Sequence, residues 1–177
     1  VQRLHELGIA TEIFSGVLPD PTLDVVEQGL AQLRATQCDS VLAVGGGPST
    51  DAAKVIALAA GSQKTPQRLI GILKGRKPAL PLFVIPTTAG TGSEVGRGAI
   101  IILDDSRKVG IISPSFIPRV AICEPTLTEG LPPGRTAATG MEAVAHCIET
   151  FLAPRFYPPT AAIARDALRR TWHPVTR

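Results

Sequence analysis

Aromatic residues are scarce in this chain: five Phe, one Tyr and one Trp make up 4 % of its 177 residues. Any core must therefore be aliphatic and rich in alanine. Cysteine is sparse as well. Cys38, Cys123 and Cys147 are odd in number, far apart and without a C-x-x-C pair, which argues against a disulfide framework and for reduced thiols in a cytoplasmic protein. No apolar run approaches the ~20 residues of a membrane span, and the N-terminus lacks the architecture of a signal peptide, so no membrane partner is expected. The chain does not open with methionine, which reads as processing or as a fragment. Its 18 basic and 15 acidic residues, net charge +3, are dispersed; without a basic block interleaved with aromatics, no nucleic-acid partner is expected. With 44 % hydrophobic and 19 % charged residues, disorder is excluded and one ordinary domain with a real core is within reach.

The most informative segment is Gly45-Gly46-Gly47-Pro48-Ser49-Thr50-Asp51-Ala52-Ala53-Lys54. It follows the apolar run 40–44 and opens a helix-forming stretch, predicted over 51–60. A buried strand, a glycine turn and a helix N-terminus present unpaired N–H groups and the positive end of a dipole to an anion. Such a turn serves either phosphate binding or close packing, and it is neither a G-x-G-x-x-G fingerprint nor a P-loop.

The surrounding pattern is β-α-β-α. Val1 to Leu7 reads as a helix end stopped by Gly8, Ile9 to Phe14 as a strand, and Gly16 to Pro21 as a loop. Asp20-Pro21 is read as an N-cap with proline in the first turn. The helix that follows carries Leu23, Val26, Leu30 and Leu33 at helical spacing, through about Gln37. Leu82 to Ile85 reads as a buried parallel strand. Ala99 to Leu103 and Lys108 to Ile112 flank Asp104-Asp105-Ser106 as a hairpin, and Arg119 to Cys123 reads as a last strand. From Arg135 onward the pattern is helical, near 136–152 and 159–171, with a break at Pro174. The fold class is α/β, a parallel sheet with helices on its faces.

Two further constellations carry chemistry. Thr87-Thr88-Ala89-Gly90-Thr91-Gly92-Ser93-Glu94 lies past the C-terminal end of a predicted parallel strand, where ligands bind in open α/β sheets; it is either a donor-rich ligand loop or a solvated turn. Glu142 and His146, four residues apart, share a helix face about 6 Å apart along the axis. They are either a surface pair or two ligands of a divalent metal.

Five segments together resemble the iron-containing (group III) alcohol dehydrogenases, whose fold is that of the glycerol dehydrogenases and dehydroquinate synthase. They are Ser15 to Thr22, Gly45 to Lys54, Pro86 to Val95, Pro125-Thr126-Leu127 leading to Leu131-Pro132, and Thr136 to Glu149, which reads TAATGMEAVAHCIE. The P-T-T-A-G-T-G-S-E loop favours this branch over the glycerol dehydrogenase and maleylacetate reductase branches. The resemblance implies a Rossmann-like nucleotide-binding domain over 1–133 followed by the start of a helical metal-binding domain over 134–177. It implies NAD or NADP as cofactor, with Gly45, Gly46, Gly47 and Ser49 at the pyrophosphate and Asp51 at the start of the next helix. Thr87, Thr88 and Thr91 would face the adenosine and ribose, with Lys108 near the cofactor. Glu142 and His146 would supply two of four ligands to Fe2+ or Zn2+, which lowers the pKa of an alcohol so that hydride can leave to nicotinamide. The partner is then a small alcohol or aldehyde, and a homo-oligomer fits the family.

Three departures stand out. Pro48 replaces the family's serine and removes an N–H, with Ser49 as a partial substitute. Glu142 stands where aspartate is usual, about 1.5 Å longer in reach, and Glu124 likewise replaces Asp before proline. The family is about twice this length: the first strand of its sheet and its two other ligand histidines have no counterpart here, and residues 171–177 do not resemble its continuation. Two readings of function follow: an alcohol dehydrogenase, or a truncated relic that at most binds nucleotide.

Overall fold

The computed structural model describes residues 1–75, 78–154 and 157–175. Its elements are α1 (Gln2–Glu6), α2 (Leu23–Ala35), β1 (Val41–Gly45), α3 (Gly47–Ser62), β2 (Gly71–Ile72) and β3 (Leu82–Pro86). They continue with β4 (Gly98–Ile102), β5 (Lys108–Ile112), β6 (Val120–Ala121), α4 (Pro133–Leu152) and α5 (Pro158–Val175), with short 3-10 turns between.

Two small sheets flank one central helix. The first, in the order β1-β3-β6, is parallel throughout, with Ala43 opposite Val84 and Val84 opposite Ala121. The second joins the antiparallel hairpin β4-β5 to β2, which runs parallel to β5. Between them α3 is buried almost all round: Ala52, Ala53, Lys54, Val55, Ile56, Ala57, Leu58 and Ala59 are all buried. Alanines at four of these positions keep the helix thin enough to sit close to both sheets. On one side Ala53 packs on Ala43, Leu82 and Val84. On the other, Val55, Ile56 and Leu58 join Leu23, Val26 and Leu30 of α2 with Leu69, Ile101, Ile111 and Phe116. Leu42, Val44, Phe83 and Val120 point to the opposite face of the first sheet, where they are exposed. No described helix is long and apolar enough to cross a membrane.

The α/β class holds, but the β-α-β-α order loses its first strand, and the chain opens α1-α2-β1-α3; local corrections follow. Thr22, not Asp20, caps α2: its Oγ1 accepts from the Val25 amide at 3.3 Å. The preceding loop is stitched to β4 instead, through the Ile102 amide on the Pro21 carbonyl at 2.9 Å. The helix stops at Ala35, and Gln37 has turned left-handed at φ 55°. Residues 9–14 form no strand; a strand needs a ladder partner, and among the described residues this segment has none. It is held instead by the Ile9 amide on the Leu4 carbonyl at 2.9 Å, Thr11 Oγ1 against His5 Nε2 at 2.6 Å and the Gln32 side-chain amide on the Ile13 carbonyl at 3.0 Å. The strand expected over 119–123 shrinks to Val120–Ala121, although the amides of Arg119 and Ile122 still donate to Leu82 and Val84. The helix expected from Asp51 begins four residues earlier, at Gly47. Proline fits there because the first turn leaves its N–H positions unbonded anyway. The last helix is continuous through Pro174 to Val175 rather than breaking at the proline.

Candidate functional site

The glycine turn and the hydroxyl-rich loop meet at the C-terminal ends of the neighbouring strands β1 and β3. Their backbones are joined by the Thr87 amide on the Gly45 carbonyl at 3.0 Å. Gly45 has φ 150°, and a Cβ there would lie 2.5 Å from Ser49 Oγ. A Cβ on Gly46 would stand 3.0 Å from Thr88 Oγ1, and one on Gly47 only 2.6 Å from Thr91 Cγ2. The glycines are thus needed for the two segments to touch. Gly46 is the N-cap of α3 and carries no side-chain cap, and the first intrahelical bond is Thr50 to Gly46 at 3.1 Å. The amides of Gly47 and Ser49 precede that bond and have no intrahelical acceptor. Amides and a positive helix end beside three threonine hydroxyls suit an anion with attached sugar.

Behind this cleft lies a network that the residue spacing did not announce. Lys54 is completely buried, and its Nζ donates to Ser93 Oγ at 2.9 Å and to the Gly98 carbonyl at 2.8 Å. Asp51 is 3.9 Å from the ammonium. Its two oxygens accept from Ser93 Oγ at 2.6 Å and from the Ile100 amide at 2.9 Å. Both carboxylate oxygens are thereby taken by protein donors, so Asp51 fastens α3 to its neighbours rather than standing free for a ligand. Burial lowers the Lys54 pKa from its ordinary 10.5, opposed by the charges of Asp51 and then Glu94. The ring of Phe116 lies 6.0 Å from the ammonium. A lysine three residues after an aspartate, inside the apolar run Ala52 to Ala60, was the available signal for this pair.

Lys108 lies elsewhere in the pattern of contacts. Its Nζ pairs with Asp20 Oδ1 at 3.1 Å, both side chains about two-thirds exposed, tying the hairpin to the loop before α2.

Glu142 and His146 both sit on α4, the glutamate half-buried and the histidine exposed. A carboxylate and an imidazole suit a divalent ion, yet no group of three or more His, Cys, Asp or Glu side chains among the described residues could hold one. The pair is therefore a partial donor set. The helix is nevertheless in contact with the cleft. A Cβ on Gly90 would lie 2.7 Å from the Thr139 carbonyl and 3.2 Å from Glu142 Oε2, so the hydroxyl-rich loop rests directly on the face that carries the carboxylate. α4 in turn packs on α5 through Val144, Ala161 and Ala164.

The family profile described as iron-containing alcohol dehydrogenase matches residues 1–125. The chain belongs to the iron-containing alcohol dehydrogenases. Among relatives in this family it is 50 % identical over 174 residues to the 4-hydroxybutyrate dehydrogenase of Cupriavidus necator, covering 96 % of this chain and 46 % of that protein. It superposes on a crystal structure of 1,3-propanediol oxidoreductase with a TM-score of 0.89 at 37 % identity, covering 99 % of this chain and 47 % of the other. A second family structure, the sulfoacetaldehyde reductase of Bifidobacterium kashiwanohense in complex with NAD+, gives 0.85 at 31 % identity, covering 97 % and 46 %. The chain thus spans a little under half the length of the family members it matches.

Proposed function

We propose that this chain is the nucleotide-binding part of an NAD(P)-dependent, divalent-metal-dependent alcohol dehydrogenase, moving hydride between an alcohol and nicotinamide. The observation that carries the reading is the interlocked pair of segments at the strand ends: the start of α3 and the threonine loop, held against each other by glycine. In this reading Gly45, Gly46, Gly47 and Ser49 receive the pyrophosphate on the free amides of Gly47 and Ser49. Thr87, Thr88 and Thr91 supply hydroxyls to the adenosine and ribose side, while Lys108, paired with Asp20 on the hairpin, would approach the cofactor from outside this cleft. Asp51 keeps its place as a residue of the site by holding α3 and the loop together. Glu142 and His146 would hold Fe2+ or Zn2+ together with ligands from beyond the described residues. The metal, when bound, polarises the alcohol oxygen and lowers its pKa.

Residues 1–133 form the nucleotide domain in this reading and 134–177 the start of a helical metal domain. The substrate is a small alcohol or aldehyde, the location cytoplasmic, and the assembly a homo-oligomer. Relatives named for hydroxybutyrate, propanediol and sulfoacetaldehyde support an oxygenated small molecule without selecting one. A second reading, a relic that at most binds nucleotide, is favoured by one observation: no group of three or more His, Cys, Asp or Glu side chains among the described residues could hold a metal.

Isothermal titration of the chain with NAD and NADP, with and without Fe2+ or Zn2+, tests the proposal. Saturable binding is expected, abolished by Gly46→Asp, which sets a carboxylate against Thr88 at the positive end of α3. Enhancement by metal supports the dehydrogenase reading over the relic. No heat with either nucleotide overturns the dehydrogenase reading and leaves the relic.

A further inference from the structure

The threonine loop has glycine on both sides of Thr91, and Gly92 is left-handed at φ 62°. Such a segment has many conformations available, yet its position leaves no slack: Thr88 lies on Gly46 and Thr91 on Gly47. Something must select the one arrangement that keeps the two segments in register. The residue directly after Gly92 is Ser93. Its hydroxyl donates to Asp51 Oδ1 at 2.6 Å and accepts from Lys54 Nζ at 2.9 Å. Its amide donates to Thr91 Oγ1 at 3.1 Å, which fixes the rotamer of the very side chain that meets Gly47. Ser93 therefore connects a helix that cannot move, because it is buried on both faces, to a loop that otherwise can.

We infer that Ser93 is a positioning residue: through Asp51 and Lys54 it sets the register of the Thr87–Glu94 loop against the glycine turn, and so sets the affinity of the cleft for a nucleotide. This rests on the nucleotide reading above. Ser93 itself need not touch the ligand. The cost of losing its hydroxyl is that Asp51 Oδ1 and one ammonium proton are left without their partner behind the cleft, where an unmade bond to a charge is expensive. Aspartate and lysine then close on each other, α3 stays in place through Ala52, Val55 and Ile56, and the loop end is released.

The test compares Ser93→Ala and Ser93→Thr with the natural chain by amide hydrogen exchange and by titration with NAD. In Ser93→Ala, protection of the α3 amides is expected to stay unchanged while amides of 88–96 exchange about tenfold faster. The dissociation constant for NAD is expected to rise by about tenfold, the cost of one hydrogen bond to a charged group. Ser93→Thr, which keeps the hydroxyl, is expected to restore both. Should Ser93→Ala not fold, the double change Asp51→Asn with Lys54→Met removes the buried charges and is expected to loosen the same amides and weaken NAD alike. Unchanged loop protection and unchanged affinity in Ser93→Ala overturn the inference, as does a Ser93→Thr chain as weak as Ser93→Ala. A natural chain that does not bind NAD overturns the nucleotide reading itself, and this role with it, and is recognised before any variant is made.

Discussion

Gly47→Ala isolates the contact between the glycine turn and the threonine loop. Gly47 is buried in the first turn of α3, with a backbone that accepts any residue, so alanine alone would favour the helix by about 0.5–1 kcal/mol. Against this stands the added methyl, 2.6 Å from Thr91 Cγ2, 3.2 Å from its Oγ1 and 3.3 Å from its Cβ. Thr91 is a short side chain with little freedom to bend away. Rotating it breaks the bond from the Ser93 amide to its Oγ1, a loss of about 1 kcal/mol, and forcing the methyl in without rotation costs about 1–3 kcal/mol. The steric cost wins, and a net destabilisation of about 1–2 kcal/mol is expected. For a chain of this size that lowers the melting temperature by about 2–8 °C, measurable by circular dichroism. Adding Thr91→Ser removes the Cγ2 atom in the way and is expected to recover more than half of the loss. A Gly47→Ala chain as stable as the original, or a double variant no better than the single one, would refute the packing argument.

Lys54 gives a prediction about pH. Its folded pKa is lowered from 10.5 by burial, so between the folded value and 10.5 the unfolded chain holds more protons than the folded one. Its contribution to stability is complete above 10.5 and is lost as pH falls through the folded pKa. The stability of the natural chain relative to Lys54→Met should therefore increase as pH rises toward 10.5; urea midpoints whose difference shrinks over that rise contradict the burial of the charge. Gly90→Ala places a methyl 2.7 Å from the Thr139 carbonyl, a backbone atom that cannot rotate away. A loss of about 1–3 kcal/mol is expected, and with it a smaller effect of Zn2+ on NAD titration; unchanged melting would show that the loop does not rest on α4.

How much of this was legible depended on distance along the chain. The strand at 41–45, its glycine turn and the helix beyond could be read because apolar run, turn residues and helix formers are consecutive. The hairpin β4-β5 was equally local. α3 starts before the expected Asp51 because Pro48, a lost donor in local terms, is also a favourable first-turn residue. Asp20 and Thr22 are both good caps on either side of Pro21, and local pattern does not choose between them. The choice is made by Ile102, some eighty residues away, which holds the Pro21 carbonyl. Residues 9–14 have the composition of a strand, but composition does not supply a partner. The same limit hid the Asp51–Lys54–Ser93 network: its members on α3 are adjacent, but the serine that completes it is 39 to 42 positions later. Glu142 and His146 share a helix as their spacing required, yet spacing on one helix says nothing of what else reaches that face.

The seat of Gly90 on α4 has a thermodynamic consequence. One end of the loop is pinned to α3, its middle lies on the glycine turn, and Gly90 bears on the Thr139 carbonyl and Glu142. A ligand that shifts the loop at the turn presses on the helix, and one that shifts the helix presses on the turn. In the proposed reading the exchange is symmetric: by whatever factor a nucleotide at the turn would change the affinity of a cation for Glu142 and His146, the cation would change the affinity of the turn for the nucleotide by that same factor.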